Sequence, residues 1–368
     1  MAVAIICVLS LAACGGQAAP SSTAPAPASP AAVSAPASAP VSASAAASSK
    51  PAASAAAAAS AKPGEKMITV YTTPASLFLP LWMADEHGIF ARNGLNVEVR
   101  LVSNSSAAMA SLLSNEVQVF QAGGSDILAA VAGGADLVAV ATMAPVYPYK
   151  LMVPADIKTP ADLKGKKVAI AGVGDVNYIA MRLSLQKVGL DPDKDVTMVP
   201  VGGTPQRAAA LVGGAVQGEL DSVPNTVALE EKGFHSLFDV YSLGLVSANQ
   251  VLGLKRDYVN SHRDAVQRYV DSMIEGFTKV KEDEPASIAL LKEHYKSDDT
   301  HAMQLAYDFA THGTIADLPY PRADQFADSV TYMAKTNPAV AKVDVASILD
   351  DSFVKSAEAR KVNLQPVP

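Results

Sequence analysis

Cysteine is almost missing from this chain. Its two copies, Cys7 and Cys14, both fall in the first fourteen residues. A globular part starting near Met67 therefore has no disulfide framework, thiolate metal site or cysteine nucleophile available to it. The six histidines show neither H-E-x-x-H nor any other ligand spacing, so no metal site is expected. No G-x-S-x-G elbow occurs, and no catalytic residue is assigned. Gly172–Asn177 reads G-x-G-x-x-N, which lacks the third glycine of a dinucleotide fingerprint and any suitably placed acid, so no cofactor is expected. Positive charge is short as well. Setting aside the three lysines and one glutamate ahead of Met67 leaves 26 basic against 35 acidic side chains. An acidic domain without a basic stripe is a poor nucleic-acid binder. Beyond the first residues, no uninterrupted apolar run is long enough to span a bilayer.

The chain begins with a short apolar run, Ala2–Ala13, ending in Leu11-Ala12-Ala13-Cys14-Gly15. Residues 1–14 resemble a bacterial lipoprotein signal, although no Lys or Arg precedes the run. The resemblance implies lipidation at Cys14 and an extracytoplasmic, membrane-anchored location. Residues 15–66 are almost wholly Ala, Ser and Pro. Such a composition cannot bury enough apolar surface to offset chain entropy, so it reads as a disordered tether.

What the remaining 300 or so residues do have is a repeat. Gly94-Leu95-Asn96-Val97 is echoed by Gly189-Leu190-Asp191, after which an offset of 99 residues holds. Leu112 falls on Leu211, Val117-Gln118 on Val216-Gln217, and Gly134 on Gly233. A single period of that length exceeds the roughly 20–50 residues of a solenoid unit. It suits two similar α/β lobes facing a cleft. The expected strands of the first copy are Ile68–Tyr71, Val97–Val102, Val117–Gln121 and Leu137–Ala141, separated by helices that include Leu79–Arg92 and Ser105–Ser114. Strands alternating with helices imply a mostly parallel sheet covered on both faces. After Ser247 come long amphipathic helices with no counterpart in the second copy, which are expected to pack on the first lobe. The expected division is 67–155 with 250–368 for lobe 1 and 156–249 for lobe 2. The two crossings fall near Val153–Lys158 and Val246–Gly253.

Several fixed spacings resemble the SsuA-like substrate-binding proteins, the aliphatic-sulfonate and thiamin-precursor group. Pro80 to Val97 follows that family's P-x-x-x-A-x-x-x-G-x-F-x-x-x-G-L-x-V, and Thr159–Lys167 its T-P-A-D-L-K-G-K-K. Gly189–Val196 matches G-L-D-P-x-K-D-V, and Leu211–Pro224 resembles A-L-x-x-G-x-V-D-A…P. The chain departs at Gln118 and Gln217, where Asp is usual after Val, and it lacks the cysteine-rich motif of the thiamin-pyrimidine synthases. The resemblance implies a two-lobed periplasmic-binding-protein type II fold with two hinge crossovers. It implies a monomer that hands a small-molecule ligand to an ABC permease. The rivals are an enzyme on the same scaffold, acting on a pyrimidine or other metabolite precursor, and a ligand-sensing ectodomain.

Ligands of open parallel sheets gather at the carboxyl ends of the strands. Those ends nominate Thr73, Ser76, Gly124 and Ser125 in lobe 1, and Asp175, Asn177, Tyr178, Asp221 and Ser222 in lobe 2. Each Ser or Thr could equally be a helix N-cap, and Trp82 could be core or a wall for a ring. Asp175 and Asp221 could hold an amine or amidine, or merely cap helices. If both face the cleft, an anionic ligand is disfavoured, because like charges repel.

Overall fold

A computed structural model describes residues 64–72, 74–102 and 105–362. The expected signal, Cys14, nearly all of the tether, and Thr73 lie outside the described residues.

The first copy folds as β1 (Glu65–Tyr71), α1 (Leu79–Glu86), α2 (Ile89–Arg92), β2 (Leu95–Leu101), α3 (Ser105–Leu113), β3 (Val119–Ala122), α4 (Gly124–Ala132) and β4 (Leu137–Val146). The second folds as β5 (Lys150–Pro154), β6 (Lys166–Ile170), α5 (Val176–Lys187), β7 (Val196–Pro200), α6 (Thr204–Val212), β8 (Gly218–Asp221), α7 (Asn225–Glu230) and β9 (Phe234–Asp239). The chain then returns through β10 (Val246–Lys255) to α8 (Arg256–Ser261), α9 (Arg263–Glu282), α10 (Glu284–Tyr295), α11 (Thr300–Phe309), α12 (Ala327–Met333) and α13 (Ser352–Ala359). The expected helix 79–92 is broken at Gly88, whose φ of 69° is left-handed.

The two sheets have orders β2-β1-β3-β10-β4 and β7-β6-β8-β5-β9. In the first, β1 runs parallel to β2 and β3 while β10 is antiparallel to both neighbours. In the second, β6 runs parallel to β7 and β8 while β5 is antiparallel to both of its neighbours. Each sheet thus takes one strand from the chain just after it has crossed over. The expected boundaries need correcting on this point. β5 belongs to lobe 2 and all of β10 to lobe 1, so the crossings lie at 147–149 and 240–245. A crossing strand without an intervening helix carries no signal of a change of lobe. β1 also begins at Glu65, inside the expected tether.

Alternation within each strand explains why both faces are covered. Met67 and Tyr71 enter one core and Ile68 and Val70 the other. In lobe 2, Val168 and Ile170 face one cluster and Ala169 the other. The C-terminal helices pack on lobe 1 as expected. α9 approaches α1 so closely that a Cβ on Gly276 would lie 2.4 Å from the Pro80 carbonyl oxygen. α12 bridges the lobes, with Val330 against a lobe 1 core and Tyr332 in the core of lobe 2.

The repeat is visible at atomic detail. Gly94 and Gly189 have φ of 70° and 86°, and Gly134 and Gly233 have 96° and 87°. The departures at Gln118 and Gln217 are equivalent too. Gln118 Oε1 accepts the Ile68 N–H at 2.8 Å, and Gln217 Oε1 accepts the Lys167 N–H at 3.2 Å, again 99 residues on.

Candidate functional site

The carboxyl ends of the parallel strands of both sheets open onto one cleft. Its inner part is a cavity of about 350 Å³. Lobe 1 contributes Thr72, Ala75, Phe78, Ser105, Gly123, Ser125 and Asp126; lobe 2 contributes Asp175, Val176, Asn177, Thr204 and Ser222. The first crossing supplies Pro148 and Tyr149, and β10 of lobe 1 adds Asn249 and Gln250. A wider cavity of about 790 Å³ shares Ala75, Thr204 and Ser222 with it. That outer part is largely apolar, through Pro74, Pro205, Ala208, Ala209, Val212 and Leu229, with Asp221, Lys232, His294 and Tyr295 among its polar members.

Of the residues nominated from sequence, Ser125, Asp175, Asn177, Asp221 and Ser222 line the cleft. Three do not. Ser76 is buried, and its backbone hydrogen-bonds Tyr295. Gly124 is a packing position, since a Cβ there would lie 2.6 Å from both Ala248 Cβ and Phe326 Cε1. Tyr178 points away from the cleft, where its hydroxyl accepts from Arg182 at 3.3 Å and Arg182 pairs with Asp193. The rule that strand ends face the cleft locates the turn, but the helix that follows rotates some of its residues away.

Trp82 is 1% exposed and stacks on His294 at 3.9 Å between centroids, so it is core and not a wall. Phe78 and Tyr149 supply the aromatic surface of the inner cavity instead.

Asn177 lines the cleft but is already committed. Its Oδ1 accepts from the Ala171 N–H at 3.1 Å and its Nδ2 donates to the Leu220 carbonyl at 3.3 Å, tying β6 to β8. Asp175 caps α5 by accepting the Tyr178 N–H at 2.8 Å. Burial raises its pKa, opposed by hydrogen bonds and by the Arg207 charge.

The acid that sequence reasoning passed over is Asp126. It stands third in α4 and reaches back to the Gly123 N–H, and it also takes the Ser105 hydroxyl. Burial pushes its pKa up to about 6 despite those donors, and the charge of Asp175 across the cleft adds to the rise. Its place directly after Ser125 at a strand end was the available signal.

Below the cleft in lobe 2 lies a buried ionic group. Arg207 donates to Glu219 Oε2 at 3.2 Å, to the Gly202 carbonyl at 2.9 Å, to Thr204 Oγ1 at 3.1 Å and to the Leu220 carbonyl at 3.2 Å. Asp221 Oδ1 accepts from the Ser222 N–H at 2.8 Å and from Asn225 Nδ2 at 3.2 Å. Two acids facing one guanidinium cannot both ionise cheaply. Burial and the Asp221 charge push Glu219 well above the usual carboxylate range, and the Arg207 charge opposes the rise. The 99-residue offset puts Phe120 and Ala122 at the places of Glu219 and Asp221, so lobe 1 has no such acids, and the buried polar group on its β3 is neutral. There Gln121 Nε2 donates to the Tyr269 hydroxyl at 2.7 Å, Tyr269 donates to Thr69 at 3.0 Å, and Gln250 Nε2 donates to Gln121 Oε1 at 3.2 Å.

Two α/β lobes that exchange a strand at each crossing and face a common cleft make up a periplasmic-binding-protein type II fold. The chain belongs to the NMT1/THI5-like family, whose sequence pattern it matches over residues 76–285, more than half its length. No curated protein matches it by sequence. Among solved structures, it resembles the periplasmic aliphatic sulphonate binding protein SsuA of Escherichia coli with a TM-score of 0.65 at 22% identity, over 77% of this chain and 91% of that one. The alkanesulfonate-binding SsuA of Xanthomonas axonopodis pv. citri, bound to MOPS, gives 0.63 at 20% identity over 79% and 99%. The desulfurization enzyme DSZB gives 0.59 at 15% identity over 81% and 99%. The scaffold is thus shared by binding proteins and by an enzyme.

Proposed function

We propose that the chain is the extracytoplasmic solute-binding component of an ABC importer, capturing a small ligand between its lobes by closure about the two crossings. The observation that carries this reading is the strand exchange. Because β5 and β10 each join the opposite sheet, the lobes are tied at 147–149 and 240–245, beside the cleft, and relative rotation there opens or shuts it. The cleft volume is within the range of small-molecule sites. The likeness to sulfonate-binding proteins supports the same reading. A lipid at Cys14, a flexible tether, a monomeric state and a membrane permease reading the closed form complete the proposal.

DSZB makes an enzyme the reading to test against. Among the described residues no group of three or more His, Cys, Asp or Glu is placed to hold a metal ion. Purified protein should compact in small-angle scattering on addition of its ligand and release that ligand chemically unchanged. Turnover of the bound ligand would favour the enzyme. A ligand that copurifies, is identified by native mass spectrometry, and yet causes no compaction would overturn hinge closure.

A further inference from the structure

The charge of the inner cavity is one-sided, with Asp126 and Asp175 its ionisable acids. Helix N-termini with free N–H groups make seats for anions, and α4 and α5 both begin at the inner cavity. In this chain the protein's own carboxylates take part of the donors at both of these termini. Asp126 occupies the Gly123 N–H and the Ser105 hydroxyl, while Asp175 occupies the Tyr178 N–H. Among the described residues the inner cavity is lined by no Lys, Arg or His. Arg207, whose charge reaches Asp175, has its donors engaged by Glu219, Thr204 and two backbone carbonyls.

A second observation points the same way. Gln250 lines the inner cavity, is 2% exposed, and has no partner for its Oε1. In the structure Gln250 Nε2 donates to Gln121 Oε1 while Gln121 Nε2 donates to Tyr269, an arrangement that leaves Gln250 Oε1 free. The free atom is therefore an acceptor. A buried acceptor without a donor is costly, and a donor-bearing ligand removes that cost.

We propose that the site takes a small organic cation, a protonated amine or amidine, held between Asp126 of lobe 1 and Asp175 of lobe 2 with an N–H directed to Gln250 Oε1. The apolar outer cavity, walled by Pro205, Ala208, Val212 and Leu229, accommodates the hydrocarbon part. Opposed acids on the two lobes also link charge to closure. They repel across an empty cleft, and a cation between them turns that repulsion into attraction from both sides. This rests on the solute-binding reading and narrows it to a ligand of charge opposite to a sulfonate.

The test is calorimetric titration of the full chain at pH 7.5 with four probes of one shape: benzylammonium, benzamidinium, benzyl alcohol and benzenesulfonate. At least one cation should bind ten-fold or more tighter than the alcohol and the sulfonate. Asp126→Asn and Asp175→Asn should each weaken that cation ten-fold or more. Asn is itself a good N-cap at 175, and at 126 its amide oxygen can still accept the Gly123 N–H, so the variants should fold, which melting checks. Gln250→Leu should weaken the same cation. Tighter binding of benzenesulfonate, or binding of neither cation at millimolar concentration, overturns the proposal. Scattering on the same samples separates the two readings, since compaction with the sulfonate or with a copurified neutral or anionic solute would leave a binding protein whose ligand is not a cation.

Discussion

At the scale of single residues, the cleft is built from groups whose charge state is set by burial. Asp126 has an ordinary pKa of 3.8, raised to about 6 in the folded chain. Between these values the folded protein holds a proton that the unfolded chain has lost. Stability therefore falls as pH rises from about 4 to about 6, by roughly 2–3 kcal/mol for this group, and is then level. Asp126→Asn should remove that part of the slope, so urea unfolding at pH 4.5, 5.5 and 7 should show the variant gaining on the parent as pH rises. A constant difference across the series would mean that the carboxyl titrates as if exposed. Arg207 poses the opposite case. It is 4% exposed and paired to a buried glutamate. Replacement by Met leaves Glu219 and Asp221 buried together with no cation, and breaking such a pair costs about 3–5 kcal/mol. The denaturant midpoint of Arg207→Met should fall accordingly. Asp221→Asn in the same background should restore part of the loss, since it removes the unpaired charge.

At the scale of elements, Gly276 shows what a single missing methyl allows. Its Cα sits against the Pro80 backbone, so Gly276→Ala must push α9 from α1, and overpacking of this kind costs about 1–3 kcal/mol. A thermal melt that does not shift downward would show that the helix pair can slide apart freely. Much of this layer was legible in the sequence. Glycine after a helix and an apolar strand after glycine are local signals, and Gly94, Gly134, Gly189 and Gly233 all adopt the left-handed conformation that such turns require. Gln118 and Gln217 looked like losses of a family acid, yet each accepts a backbone N–H of the neighbouring strand, β1 or β6, through the same bond. What escaped was non-local. β5 follows β4 after three residues, and nothing in its residues says that it pairs with β8 and not with β10. Which residues of a turn face the cleft was likewise set by helix phase. Asp126 turned inward and Tyr178 outward, although both begin helices at strand ends.

At the scale of the whole molecule, the lobes touch in more places than the two crossings. Tyr332 on α12, which belongs by sequence to the lobe 1 helices, is 7% exposed within the core of lobe 2. Its hydroxyl donates to Gln186 Oε1 at 3.1 Å, and its ring lies 5.4 Å from the Arg182 guanidinium and 4.6 Å from Lys335 Nζ. Tyr147, in the first crossing, shares that cluster. A contact beside a hinge moves little when the lobes rotate, so Tyr332 should act as part of the pivot and not as a latch that breaks on opening. Removing the ring would loosen the angle between lobes without touching the ligand. Tyr332→Ala should therefore enlarge the unliganded protein in scattering, while saturating ligand still compacts it to the parent's size. Apparent affinity should drop about ten-fold, the loss expected if the binding-competent arrangement is populated one-tenth as often. A ring that latched the closed form would give another pattern, with the unliganded size unchanged and the liganded form failing to compact. Measuring both states of one variant decides between pivot and latch.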